Sequence, residues 1–191
     1  MSALPNLITA LRVLLIGPAA WLLWQARYQE ALVIVVVAGL SDWLDGLLAR
    51  HYGWTSRFGA AMDPAADKLL MLTVIVVLTL QDHLPLWLAV LLIGRDVVIT
   101  AGAGAYRLMF GDIQFQPSFI SKTNTVLQIV VLSLILLMLA YPDTLGAWGQ
   151  PWVDPWGFYL LVVFAVLSGG DYVLTWSRKA LTRRREEAQA P

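Results

Sequence analysis

The chain contains no cysteine. Disulfide frameworks, thiolate metal sites and thiol nucleophiles are therefore excluded. Charge is also scarce. Lys and Arg number 13, Asp and Glu 13, together 14% of 191 residues, against about 25% in a soluble domain. The two signs cancel, so no bulk field draws the chain to nucleic acid, and no nucleic-acid partner is expected. Polar side chains are too few to cover a 21.1 kDa globule in water. What fills the chain instead is apolar: 59% hydrophobic residues, nine Trp and a mean hydropathy of +0.68. A disordered chain has the opposite composition. The class expected is an integral membrane protein of one domain.

A spanning helix needs roughly 20 mostly apolar residues. Six segments qualify, at about 6–26, 30–51, 60–81, 85–108, 118–140 and 155–177. Strands of a membrane barrel would alternate over ten-residue segments, and these do not. The fold class expected is all-α, with six transmembrane helices around a polar cavity open to the cytoplasmic side. Residues 1–178 form the transmembrane domain and 179–191 a basic, then acidic, cytoplasmic tail. The stretch 142–157, rich in Pro and Gly, reads as the longest loop. No internal repeat is evident.

Orientation follows from basic residues near the segment ends. Arg50, Arg57, Arg107, Lys122, Arg178, Lys179, Arg183, Arg184 and Arg185 fall on one side, and only Arg27 on the other. Both termini are therefore expected in the cytoplasm. The tail serves as a topology anchor or as a contact for anionic lipid headgroups. No basic region precedes the first segment, so it does not read as a cleavable signal.

Four acids stand where lipid should be. Asp42 and Asp45 lie near the cytoplasmic end of the second segment, Asp63 and Asp67 near the cytoplasmic start of the third. A mid-membrane Asp costs about 2.5–3.5 kcal/mol, so four together require a wet cavity or a cation. Positions 42, 45, 46 and 49 share one helix face, and so do 59, 63 and 67. The short loop at 51–58 makes the two segments antiparallel neighbours whose faces can oppose. Carboxylates that close raise one another's pKa unless a cation neutralises them. An oxygen-only set without His or Cys suits Mg²⁺, Mn²⁺ or Ca²⁺ rather than zinc. Paired ions of that kind serve phosphoryl chemistry. Gly46, Ala49 and Gly59 keep the faces shallow, and Arg50 offers a charge-assisted fork for phosphate. Two unrelated, locally paired sets of acids would be the bland reading, and it leaves the matched glycines unexplained.

Written out, these residues are Asp42-x2-Asp45-Gly46-x2-Ala49-Arg50-x8-Gly59-x3-Asp63-x3-Asp67. The run resembles the signature of the CDP-alcohol phosphatidyltransferase family, D-x2-D-G-x2-A-R-x8-G-x3-D-x3-D, at all of its defining positions. The resemblance implies six transmembrane helices, a homodimer, and displacement of CMP from a CDP-alcohol by an acceptor hydroxyl. It implies two divalent cations, Mg²⁺ or Mn²⁺. Asp42, Asp45 and Asp63 would hold one, and Asp42, Asp63 and Asp67 the other. Asp67 is also implied as the base that takes the acceptor's proton. Gly46, Ala49, Arg50 and Gly59 match positions around the cytidine diphosphate.

Further segments are similar to one branch of that family. Pro5-Asn6-Leu-Ile-Thr9-Ala-Leu-Arg12 resembles the N-terminal motif of phosphatidylglycerophosphate and cardiolipin synthases. It implies Asn6 at the mouth of the CDP-lipid site, although a helix N-terminal role fits Asn6 equally. Arg95-Asp96 resembles the branch's R-[DE] pair. Pro117-x-x-Ile-Ser121-Lys122-x-Asn124-Thr125-x-x-Gln128 looks most like CMP-forming cardiolipin synthases, whereas Thr55-Ser56-Arg57-Phe58-Gly59 looks equally like the phosphatidylglycerophosphate enzymes. The expected reaction joins CDP-diacylglycerol to phosphatidylglycerol, giving cardiolipin and CMP. The alternative acceptor is glycerol 3-phosphate.

Arg95 and Lys122 agree with an anionic acceptor. Arg95 is deep for a lone cation, so it contacts acceptor phosphate or pairs internally with Asp96, although adjacent residues point about 100° apart. Lys122 contacts the acceptor or snorkels. Asp171 has no assigned role. A motif beginning at Pro5 leaves no room for an organelle presequence, which favours a bacterial inner membrane. An ion-coupled transporter would instead show inverted repeats and broken helices at mid-membrane. An assembly factor would have no use for Arg50 and glycines at fixed offsets from the acids.

Overall fold

The computed structural model describes the backbone of residues 3–52, 57–110 and 118–189, and the side chains of 11–41, 68–105, 108–109 and 118–176. Six long helices follow one another: α1 (Ala3–Trp24), α2 (Tyr28–Tyr52), α3 (Arg57–Leu80), α4 (Leu86–Phe110), α5 (Phe119–Ala140) and, after the short α6 (Ala147–Pro151), α7 (Phe158–Gln189). No strand occurs among the described residues. The stretches 86–105, 119–140 and 142–176 are each long and apolar enough to cross a membrane. The described parts of α1, α2 and α3 are apolar as well.

Large apolar side chains cover the outside. Leu14, Leu80, Leu86, Val90 and Val126 are all more than half exposed. In water such a surface would aggregate; against acyl chains it is the stable arrangement. Trp21, Trp24, Trp87, Trp148, Trp152 and Trp156 are also exposed. They stand at helix ends or between α5 and α7, where an amphipathic ring suits the headgroup level. The chain is an all-helical membrane protein.

Two compact units make up the chain. The first comprises residues 1–85 and 132–153, and the second 86–131 and 154–191. In the first, α1 packs against both α2 and α3. Ala19, Ala38 and Leu70 form the seam, with Ile16 and Ile34 against it. Small residues let helix backbones approach where lipid supplies no hydrophobic drive. In the second, α4 packs on α7. Gly102 makes that contact possible: a Cβ there would lie 3.0 Å from Tyr172 Cε1.

Helix ends are closed by hydrogen bonds from neighbouring chain. Ala26 N–H donates to Leu23 O at 3.0 Å and Arg27 N–H to Leu22 O at 2.9 Å, with Ala26 left-handed at φ 57°. Asp82 (φ 60°) and His83 end α3 the same way, through Thr79 O and Leu78 O. This is the Schellman arrangement, here without its usual glycine. Gln81 Nε2 then reaches across to Leu23 O (2.9 Å) and Trp24 O (3.2 Å), the last carbonyls of α1. Tyr28 Oη joins Gln81 Oε1 (3.1 Å) and His83 Nε2 (2.9 Å). Gln29 Nε2 donates to Ala140 O at the end of α5, at 2.9 Å. The clasp matters because helix-end carbonyls have no helical partner, and apolar surroundings supply none.

Two expectations from sequence differ from the structure. The stretch 142–157 is not an open loop. It winds as helical turns, Pro142–Gly146, α6 and Trp152–Gly157, broken by extended backbone at Asp154 (φ −119°, ψ 118°) before Pro155. Near the membrane interface unpaired backbone is costly, so even Pro- and Gly-rich chain coils; a residue before Pro is pushed out of the helical region. At the other end, α7 does not stop at 177 but continues to Gln189. Lys, Arg, Glu and Ala end the apolar run, yet all are strong helix formers.

Candidate active site

The acids all lie on helices. Asp42, Asp45, Gly46, Ala49 and Arg50 occupy the last turns of α2, and Gly59, Asp63 and Asp67 the first turns of α3. Both helices pack on α1, which carries Asn6 in its first turns. The side chains of all nine residues lie outside the described residues. The backbone is continuously helical through 42–52 and 57–67, the condition under which i, i+3, i+4 and i, i+4, i+8 spacings each define one face. Pro64 is inside α3 and has no N–H, so the carbonyl of Ala60 lacks its helical donor.

The donor set fits a divalent cation. Four carboxylates bring hard oxygen ligands and negative charge, and the sequence adds no cysteine to favour softer metals. No group of His, Asp or Glu with metal-binding geometry occurs among the described residues.

A second polar centre lies within the other unit. Arg95, in the middle of α4, has a side chain only 7% exposed. Its guanidinium bridges three helices. Nη2 donates to Ser121 Oγ on α5 at 2.6 Å and to Ser168 Oγ on α7 at 2.5 Å, and Nε donates to Ser168 Oγ at 3.2 Å. Nη1 donates to Asp96 Oδ1 at 2.5 Å. The neighbouring pair therefore forms despite the roughly 100° between adjacent helix positions, because the long arginine side chain folds back. One Nη1 hydrogen remains without a partner among the described residues.

Lys122, in the first turn of α5, is exposed. Behind it, Asn124 and Gln128 are 0% and 2% exposed, and Ser168 is 0%. Arg12 on α1, 1% exposed, is a further buried cation in the first unit. Asp171, on α7, is half-buried. Sequence reasoning assigned no role to Arg12, Ser121, Asn124, Gln128 or Ser168. The signal for three of them was present: Ser121, Asn124 and Gln128 repeat at i, i+3, i+7 within an apolar helix. An open pocket of about 220 Å³ lies beside Ala26–Glu30, Leu139 and Ala140. It lies at the α1–α2 turn, whereas the acids occupy the opposite end of α2, so it does not belong to the candidate site.

Comparisons with known proteins match most of this chain. A family model for CDP-alcohol phosphatidyltransferase matches residues 2–168. A CMP-forming cardiolipin synthase of Streptomyces coelicolor is 31% identical over 156 residues, covering 78% of this chain and 68% of that protein. A CMP-forming cardiolipin synthase of Homo sapiens is 31% identical over 160 residues, 74% of this chain and 53% of that one. A CDP-diacylglycerol–glycerol-3-phosphate 3-phosphatidyltransferase of Pseudomonas fluorescens is 47% identical over 105 residues, 51% of this chain and 53% of its own length. The chain thus spans about half the length of several relatives it matches.

Proposed function

The chain belongs to the CDP-alcohol phosphatidyltransferase family, and from that premise we propose that it transfers a phosphatidyl group within the membrane, releasing CMP. The observation that carries this is the complete acid–glycine–arginine signature, held on the adjoining ends of two helices that both pack on α1. The donor is CDP-diacylglycerol, and the acceptor is phosphatidylglycerol, giving cardiolipin. Glycerol 3-phosphate is the second candidate, favoured by the 47% identity to the Pseudomonas enzyme over half the chain.

In this reading Asp42, Asp45, Asp63 and Asp67 hold two divalent cations, Mg²⁺ or Mn²⁺, in a polar cavity open to the cytoplasm. When bound, the cations neutralise the diphosphate and screen the departing CMP. Asn6, Gly46, Ala49, Arg50 and Gly59 surround the cytidine diphosphate, the glycines allowing close approach and Arg50 forking onto phosphate. Asp67 accepts the proton from the acceptor hydroxyl. The hydroxyl oxygen bonds to the lipid-side phosphorus, and the bond from that phosphorus to the oxygen bridging to CMP breaks. Arg95, through its unengaged Nη1 hydrogen, and the exposed Lys122 hold the acceptor's phosphate.

The enzyme works as a homodimer in a bacterial inner membrane, with both termini cytoplasmic. The bias of Lys and Arg toward alternate ends of the apolar segments in the sequence supports that orientation. The test is CMP release by purified protein with CDP-diacylglycerol and Mg²⁺ or Mn²⁺, each acceptor offered separately. Release with phosphatidylglycerol is the expected result. Release only with glycerol 3-phosphate replaces the acceptor, and release with neither refutes the transferase.

A further inference from the structure

Two carboxamides in α5 are buried with polar atoms that lack a hydrogen-bond partner among the described residues. Asn124 is 0% exposed and Gln128 2%. Neither Asn124 Nδ2 nor Oδ1 has a hydrogen-bond partner among the described residues, and neither has Gln128 Nε2. The adjoining polar groups are engaged: Ser121, three residues before Asn124, accepts from Arg95, and Arg95 is further held by Ser168 and Asp96, with one Nη1 hydrogen to spare. Helical spacing places Ser121, Asn124 and Gln128 within about 60° of one another around α5. The unsatisfied pair therefore continues the stripe on which Arg95 is seated.

Buried amides without partners are costly in any protein interior, and more so where lipid replaces water outside. Native structures retain such groups where a ligand or an ordered water completes them. The chemistry of the pair narrows the ligand. A carboxamide is neutral and both donates and accepts. Phosphate only accepts, so it would leave Asn124 Oδ1 unmet. An alcohol donates and accepts, and satisfies both ends.

Both acceptors of the proposed reaction carry a glycerol unit: phosphate at one end, the attacking primary hydroxyl at the other, a secondary hydroxyl between. We propose that Asn124 and Gln128 bind that secondary hydroxyl, so that the α5 stripe selects glycerol-type acceptors. This rests on the transferase reading above and adds to it the group that fixes the acceptor's orientation. Arg95 and Lys122 read the phosphate; the carboxamides read the carbon skeleton between phosphate and nucleophile.

The test compares acceptors that differ only in that hydroxyl. Glycerol 3-phosphate is set against 3-hydroxypropyl phosphate, and phosphatidylglycerol against its 1,3-propanediol counterpart, with purified full-length protein, CDP-diacylglycerol and Mn²⁺. The acceptor that supports CMP release should lose about tenfold or more in kcat/KM without its secondary hydroxyl, as expected for one neutral hydrogen-bonded pair. Asn124→Leu and Gln128→Leu should erase the preference by lowering kcat/KM for the natural acceptor, with KM for CDP-diacylglycerol unchanged. Equal use of both members of a pair by the unaltered protein overturns the proposal, whatever the variants do. So does a preference that survives both substitutions, the result expected if the carboxamides hold only a structural water. No CMP from any of the four acceptors refutes the transferase reading itself, and this proposal with it.

Discussion

Replacing Arg95 tests whether the second unit is held by a polar bridge. The guanidinium is 7% exposed and joins α4 to Ser121 on α5 and Ser168 on α7. A hydrogen bond to a charged group is worth about 1.5–3 kcal/mol. Ser168→Ala removes one acceptor but leaves Arg95 on Ser121 and Asp96, so about 1.5 kcal/mol should be lost. Arg95→Met removes every contact and leaves Asp96 unpaired. Breaking a buried pair costs about 3–5 kcal/mol. Asp96 is 30% exposed and so partly screened, which puts the loss near the lower end, about 3 kcal/mol. Once Arg95 is gone, Ser168 has no charged donor to lose. The double variant should therefore fall short of additivity by roughly 1 kcal/mol or more. Unfolding in mixed micelles titrated with SDS, followed by circular dichroism, measures all four proteins. Additivity within about 0.5 kcal/mol would refute the bridge. A loss under about 1 kcal/mol for Arg95→Met would show that the guanidinium is not desolvated as its burial implies.

Three other outcomes are expected. Asp67→Asn should retain CDP-lipid binding, measured by equilibrium dialysis, and lose turnover by about 10²–10⁴-fold; unchanged turnover removes Asp67 as the base. Gln81→Leu strips Leu23 O and Trp24 O of their side-chain donor and should cost about 1–3 kcal/mol in the same SDS titration; no measurable loss means that other donors cap α1. Ala26→Gly relieves a left-handed alanine at φ 57° and should stabilise by about 1 kcal/mol; destabilisation would mean that the gain in unfolded-chain entropy outweighs the strain.

Fold and chemistry were legible to different depths. Helices α1 to α5 begin and end close to their expected positions because continuous apolar runs admit few alternatives in lipid, whereas α7 runs on past its apolar stretch to Gln189. The 142–157 stretch was misjudged because Pro and Gly signal turns in water, where an unpaired backbone is hydrated. The acids of α2 and α3 stood out because a carboxylate in an apolar run is expensive and their spacing repeats. Asn124 and Gln128 belong to a motif visible in the sequence, but no role could be read for them, since an uncharged polar residue in a helix is ordinary until its burial is known.

Local chemistry alone determined that this chain is helical, enters a membrane, and carries four carboxylates, two glycines and an arginine in a fixed register. Those properties depend on residues no more than a few turns apart, or on composition. The tertiary structure decided which polar groups meet. Arg95 finds Ser121 and Ser168, 26 and 73 residues away, and Gln81 caps carbonyls 58 and 57 residues before it. Such pairings depend on which helix faces pack together, and packing also buries Asn124 and Gln128 with Asn124 Nδ2 and Oδ1 and Gln128 Nε2 unpartnered among the described residues. In an apolar solvent a polar group's role is set by the partner that packing provides, and periodicity along one helix does not contain that information.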